Sequence, residues 1–325
     1  ITSASTPRAL RARLAKCDAL CSRVMRGVVR KNKTKAAYTF PQNQWLQQKD
    51  VSMLQQKMIE RFKEACHEDA RIIAALMFGS FAIGEGDEFS DIEFAVFIQD
   101  DHFENFDQRS WLNAVSPVAA YFPDDFGHHT ALFENGIRGE FHFMRKSDIP
   151  VISTWQGYGW FPSLEEAVLL DRSGELSRDA SALVGRPPKR EGAPLVEGLV
   201  LNLISLMLFG ANLLNRGEYA RAWALLSKAH ENLLKLVRLH EGATDHWPTP
   251  SRALEKDVSE DSYNRYLACT GSAEPKALCV AYHETWKWSL ELFRSVAGPL
   301  NIELPRIVIA QTKRLLNESA TPHNK

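Results

Sequence analysis

The sequence has little that would tie a fold together covalently or hold it in a bilayer. Its five cysteines, Cys17, Cys21, Cys66, Cys269 and Cys279, are odd in number and scattered, with no Cys-x-x-Cys pair. Neither a disulfide framework nor a zinc knuckle is expected, and a reducing cytoplasm fits best. No apolar run reaches the ~20 clean residues a bilayer requires. The longest, Leu199 to Leu214, is broken by Asn202, Ser205, Gly210 and Asn212, so no membrane span is expected. Net charge is also missing. With 39 basic and 40 acidic side chains the formal total is -1, which excludes a global pull toward nucleic acid or anionic lipid. No repeat of fixed period is present, and no low-complexity tract outside the N-terminal stretch. What remains is 325 residues, 45% apolar, enough for two compact domains with separate cores.

The balanced total hides an asymmetry. Residues 1–50 hold 11 Lys/Arg against 2 Asp/Glu, a net +9, which leaves 28 basic and 38 acidic residues, a net -10, for the remainder. Residues 1–52 show no lasting apolar period. They read as a basic N-terminal extension, extraneous to the fold, with Met53 as the natural start; the competing readings are a transit peptide and a nucleic-acid arm.

From Met53 the pattern changes. Leu54, Met58, Ile59, Phe62 and Cys66 recur at helical spacing, and Ile72 to Phe78 is a continuous apolar run of strand length ended by Gly79-Ser80. Asp91 to Ile98 predicts a second strand and Trp111 to Val115 a short helix. Thr130–Phe133 and Glu140–Phe143 predict two more strands joined by the turn Asn135-Gly136. This predicts a domain over 53–150 with a mixed sheet. Residues 151–194 read as a linker with local structure, and from 195 to 325 the apolar period is 3.6 throughout, which predicts a helical bundle. The fold class is α+β.

The chemistry-bearing feature is Gly79-Ser80, a ten-residue connection, and Asp91-Ile92-Glu93. A Gly-Ser corner past a buried strand lets backbone N–H groups and a hydroxyl approach phosphate oxygens, because glycine puts no Cβ in the way. Asp91 and Glu93 are two apart on a strand and project from one face. Two carboxylates beside a phosphate-cradling corner suit Mg²⁺, which takes hard oxygen ligands and leaves positions open for substrate phosphates. The bland alternative is a turn followed by solvated charges at a strand mouth. Glu140 is the best candidate for a third carboxylate, sharing one strand face with His142, although Asp124, Asp125 and Glu134 compete. His142 reads as a residue lining the site, and His128-His129 as strand-edge polarity. Tryptophans 155, 160, 223, 247, 286 and 288 read mainly as core.

These residues resemble the polymerase-β-like nucleotidyltransferase superfamily. The wider text, Met77-Phe78-Gly79-Ser80-Phe81, Ser90-Asp91-Ile92-Glu93-Phe94, Arg138-Gly139-Glu140-Phe141-His142-Phe143 and Arg216-Gly217-Glu218-Tyr219-Ala220-Arg221, is similar to the bacterial lincosamide nucleotidyltransferases. The superfamily often has Asp at the second metal position, where this sequence has Glu93. The resemblance implies a polymerase-β-like nucleotidyltransferase domain followed by a helical domain. It implies Mg²⁺-dependent transfer of AMP from ATP to a lincosamide hydroxyl, releasing pyrophosphate. By position it implies Asp91, Glu93 and Glu140 as metal ligands and Gly79 and Ser80 on the triphosphate, with Glu140 further expected to be the catalytic base. Tyr219 and Arg221 are further candidates for binding nucleotide, the alternative being that they brace a helix junction. The partners expected are ATP and the drug, with no nucleic acid and no membrane; a homodimer is left open. Three rivals stand: an aminoglycoside as acceptor, a catalytically silent nucleotide-binding module, and a basic-tailed nucleic-acid binder.

Overall fold

The computed structural model describes residues 53–125 and 127–319. The basic extension, with Cys17 and Cys21, lies outside the described residues.

Six strands form one mixed sheet: β1 (Ile72–Met77), β2 (Ile92–Ile98), β3 (Val118–Pro123), β4 (His129–Phe133), β5 (Arg138–Arg145) and β6 (Val168–Asp171), in the order β3-β4-β5-β2-β1-β6. β2 and β5 run parallel, whereas the other four neighbouring pairs are antiparallel. Alternation decides which face is dry. Ile92, Phe94 and Val96 are buried on one face of β2, while Glu93 points from the other. The amphipathic helix α1 (Leu54–Glu68) lays Met58, Phe62 and Cys66 into the same core. Phe62 stacks on Phe94 with ring centroids 3.8 Å apart and meets Trp111 edge-on at 5.6 Å. Those rings bind helix to sheet.

Two strands escape the sequence pattern. β3 ends at Pro123, which an edge strand tolerates because one row of its N–H groups needs no ladder partner. β6 is four residues long, too short for any period to show. It corrects the reading of residues 151–194 as a linker. Ile152, Phe161, Ala167, Leu170, Leu176, Ala180 and Leu183 are all buried in the first core, so that core continues past Pro150. The segment that follows β5, Lys146–Trp155, is 3₁₀-helical, and its Trp155 meets His142 of β5 and Phe78 edge-on. It covers the sheet face opposite α1.

The second core belongs to five helices: α2 (Ala193–Asn215), α3 (Tyr219–Glu241), α4 (Glu260–Cys269), α5 (Pro275–Leu292) and α6 (Arg306–Ser319). Their ends follow local chemistry. Glu274 caps α5, accepting from the Ala277 N–H at 2.8 Å, with Pro275 in the first turn; Gly242, at φ +70°, closes α3. By length and composition alone α2 could cross a bilayer, but Leu203, Met207, Ala211 and Leu214 are buried in the helical core. At Gly210 the ring of Tyr282 comes so close that a Cβ would lie 2.2 Å from it, and the Tyr282 hydroxyl donates to the Ala222 carbonyl at 2.7 Å.

Arg238 of α3 is fully buried and donates to the carbonyls of Ala243, Pro250 and Arg252 and to the Asp257 carboxylate. It pins the irregular stretch that follows α3.

Phe62→Ala removes a fully buried ring from between helix and sheet. It should lower stability by about 3–5 kcal/mol, read from the urea midpoint. Unchanged stability would show that α1 is not anchored by this stack.

Candidate active site

Strand direction gathers the functional residues at one end of the sheet. β1 and β2 are antiparallel, so the end of β1 lies beside the start of β2, and the Phe78 N–H donates to the Glu93 carbonyl at 3.0 Å. β2 and β5 are parallel, so their starts coincide, and Glu93 pairs in register with Glu140. Neighbouring strands stand about 4.8 Å apart and paired residues share a face, which brings the two carboxylates side by side. Asp91, one residue before β2, joins them on that face. The three acids separated by 49 residues of chain thus converge, as do Gly79 and Ser80.

Gly79 is required twice over. Its φ is +71°, and a Cβ there would lie 1.5 Å from the Glu93 Oε2. The corner it begins, Gly79–Ala82, is a single helical turn, and the Ser80 N–H donates to Glu93 Oε2 at 3.3 Å. Ser80 is buried, and its Oγ has no hydrogen-bond partner among the described residues. A buried hydroxyl without a partner costs free energy unless a ligand satisfies it.

Charge is crowded here. Burial, with Asp91 and Glu140 close by, pushes the Glu93 carboxyl up to about 7. Glu140 is held below the usual carboxylate range, first by its hydrogen bond to His142 and further by His128 and Arg138. Arg138 supplies the local positive charge: its Nη1 lies 2.5 Å from Asp91 Oδ2 and its Nη2 3.5 Å from Glu140 Oε2. Arg138 is not among the sequence-predicted site residues, though its place two residues before Glu140 on an alternating strand puts it on the same face. Hard oxygen donors crowded beside an unsatisfied hydroxyl fit a divalent cation with phosphates.

The histidines correct an expectation. His128 is not edge polarity: it stands one residue before β4, its ring stacks on that of His142 with centroids 4.2 Å apart, and its Nδ1 is 3.6 Å from Glu140 Oε1. His142 Nε2 is 2.9 Å from the same oxygen. Sequence spacing cannot show this, because the partner lies on another strand.

Beside Gly79 and Glu93 opens a cleft walled by Trp155, Tyr158, Trp160, Arg190, His246 and Arg252. Trp155 and Trp160 line the cleft, Trp155 packing against the first core as well, and Trp223 is half exposed, whereas Trp247, Trp286 and Trp288 are buried as expected. Glu85, in the loop after the Gly-Ser corner, ties the two parts together: its carboxylate is 2.8 Å from Arg252 and 3.0 Å from His246, whose other ring nitrogen meets Asp257 at 2.5 Å. Tyr219 and Arg221 do not line this cleft. Tyr219 packs against the helical core, while Arg221 pairs with Glu218 at 3.1 Å and lies over the Phe209 ring. They brace the α2–α3 turn, and the basic side chains that face the cleft are Arg190, His246 and Arg252.

Glu93 gives a pH signature. Its carboxyl titrates near 7 when folded and near 4.5 when unfolded, so the folded state holds a proton the unfolded chain has released. The stability this provides is complete below pH ~4.5 and is lost as pH rises through ~7, up to about 3 kcal/mol. In metal-free buffer the urea midpoint should therefore fall between pH 5 and 8, and Glu93→Gln should flatten that fall. An equal slope in the variant would assign the titration elsewhere.

Residues 59–142 match the model of the nucleotidyltransferase domain, and residues 192–315 that of the lincosamide nucleotidyltransferase-like C-terminal domain. Among solved structures, an aminoglycoside 6-adenyltransferase from Bacillus subtilis aligns at 15% identity and a TM-score of 0.39, covering 83% of this chain and 100% of its own. A nucleotidyltransferase-like protein from Exiguobacterium sibiricum 255-15 aligns at 16% identity and 0.35, covering 77% and 78%. No curated protein sequence matches. The sheet that carries the acids thus matches a nucleotidyltransferase domain, and the helices that follow it match a C-terminal domain of the lincosamide nucleotidyltransferase-like kind.

Proposed function

We propose that this enzyme moves AMP from ATP to a hydroxyl of a lincosamide, lincomycin or clindamycin, and releases pyrophosphate. The observation that carries the reaction type is the convergence of Asp91, Glu93 and Glu140 beside Gly79-Ser80; the match of residues 192–315 supports the choice of acceptor. The same reading places the reaction in the cytoplasm, where ATP is held.

Asp91 and Glu93 would hold Mg²⁺, with Glu140 as the third carboxylate, and the ion when bound neutralises phosphate charge as pyrophosphate leaves. The residues of the chain do the rest. Ser80 offers its buried hydroxyl to a phosphate oxygen, and the missing side chain of Gly79 lets that oxygen approach the backbone. Arg190 and Arg252 face the same cleft and carry charge opposite to a triphosphate. Glu140 takes the proton of the attacking hydroxyl. Its depressed pKa keeps it anionic at neutral pH, so it is ready to accept, and His142 holds the carboxylate in place.

Sheet order sets the direction of transfer. Across the strand ends the sequence runs Ser80 after β1, Glu93 on β2, Glu140 on β5 and His128 before β4. In-line displacement needs the nucleophile and the leaving group on opposite sides of the α-phosphorus. Pyrophosphate therefore leaves on the β1 side and the drug hydroxyl arrives from the β4–β5 side.

Incubation with ATP and Mg²⁺ against a panel of lincosamides and aminoglycosides tests the reading, with the mass gain of one AMP as the readout. Lincosamides should be modified. Modification of an aminoglycoside alone would keep the reaction and replace the acceptor, and absence of pyrophosphate release with every drug would leave a nucleotide-binding module. Glu140→Gln should lower turnover ~10²–10⁴-fold with ATP binding largely kept. Asp91→Asn should be worse, since it weakens the cation site as well.

A further inference from the structure

We propose that His128, His142 and Glu140 form a second cation site, selective for a borderline ion such as Zn²⁺, and that filling it silences the enzyme by occupying the Glu140 carboxylate. The silencing rests on the role given to Glu140 above; the site itself does not.

The donor atoms already stand together. One ligand atom from each of the three residues lies within 4.8 Å of the others. Donors around a tetrahedral ion at bonds of about 2.0–2.1 Å are roughly 3.3 Å apart. The two imidazole-to-carboxylate distances, 2.9 Å from His142 and 3.6 Å from His128, bracket that spacing. The two imidazole nitrogens also lie within 4.8 Å of each other.

The surroundings hold the donors in place. His142 meets Phe78 and Trp155 edge-on at 5.1 and 6.0 Å, which fixes its ring, and its side chain is only 17% exposed. His128 is 44% exposed and keeps the site open to solvent on one side. Arg138 bonds to Oε2 of Glu140, whereas both histidines approach Oε1, so the oxygen offered to an ion is not the one the guanidinium occupies.

Ligand chemistry separates the two sites. Mg²⁺ prefers hard oxygen and has little use for imidazole, so it belongs with Asp91 and Glu93. Two imidazoles and one carboxylate are a donor set for Zn²⁺, Co²⁺ or Ni²⁺. A borderline ion would thus take Glu140 out of the Mg²⁺ ligand set while leaving Asp91 and Glu93 to hold that ion. Its bond to Oε1 would draw charge from the carboxylate that accepts the hydroxyl proton and so make it a weaker base.

Calorimetric titration of the whole protein with ZnCl₂, in excess Mg²⁺, tests the site directly, and the visible absorption of bound Co²⁺ gives a second readout independent of activity. One ion per chain should bind. His128→Ala and His142→Gln should each weaken binding by about tenfold or more, while Asp91→Asn should change it by less than about twofold. His128 is exposed enough for its variant to fold, and a melting curve checks both. Equal Zn²⁺ affinity in His128→Ala and the unsubstituted protein, or no binding in the micromolar range, would overturn the site. Zn²⁺ should also inhibit pyrophosphate release with lincomycin at concentrations that track the binding curve. Histidine-dependent binding with undiminished turnover would overturn the silencing. Histidine-dependent binding in a protein that turns over no drug would leave the metal site standing and remove the proposed function.

Discussion

The site depends on like charges being forced together. Asp91, Glu93 and Glu140 meet because β2 and β5 are parallel and start level, a pairing fixed by seven consecutive residue pairs from Ile92–Gly139 to Ile98–Arg145. Most of those residues are buried apolar side chains, so the hydrophobic face sets the register and the acids must accept it. A slip by one residue would expose Phe94 and Phe141 and bury the carboxylates. The core therefore holds in place a repulsion that it does not itself feel, and Arg138 offsets part of it. The strain shows in Glu93, whose carboxyl is shifted upward by burial and by its neighbours. A site that is electrostatically unfavourable when empty is one that gains most from a cation.

What the sequence made legible was local. Alternation placed Asp91 with Glu93 and Glu140 with His142, each pair on one strand face, and the turn Asn135-Gly136 joined β4 to β5. The helical periods located α1, α2, α3, α5 and α6, because a stripe facing a core repeats over several turns. What escaped depends on contacts between distant segments. β6 pairs with β1 across about a hundred residues, and four residues carry no period by which to find it. Arg190 and Arg252 reach the cleft from irregular stretches where no spacing rule applies, and the conspicuous charged run around Arg221 turned out to brace a helix turn. Charge density in a sequence marks polarity, not destination.

The helical domain is linked to the loop after the Gly79-Ser80 corner by a run of charged contacts. Glu85 stands five residues past Ser80, and its carboxylate joins Arg252 and His246, while Asp257 links His246 to the buried Arg238. This chain of contacts runs from the loop after the Gly79-Ser80 corner into the second core. Arg238 is fully buried with its donors satisfied by carbonyls and Asp257, so its end of the chain is rigid. Glu85 is partly exposed, so its end is screened and contributes less to stability. The link is thus better suited to fixing where the corner loop lies than to holding the two parts together.

That geometry also explains why two different sets of side chains flank the three acids. On the β1 side are Gly79, Ser80 and a wall of arginines, which match a polyanion. On the β4–β5 side the chain offers two stacked imidazoles and Thr130, which is paired in register with Glu140. No guanidinium from the helical domain lines that side among the cleft residues described, so the polarity across the carboxylate row is built into the order of the strands. A polyanion would find no comparable cationic wall there. The sheet order, more than any one residue, thus sets a cationic flank against an imidazole flank across the row of carboxylates.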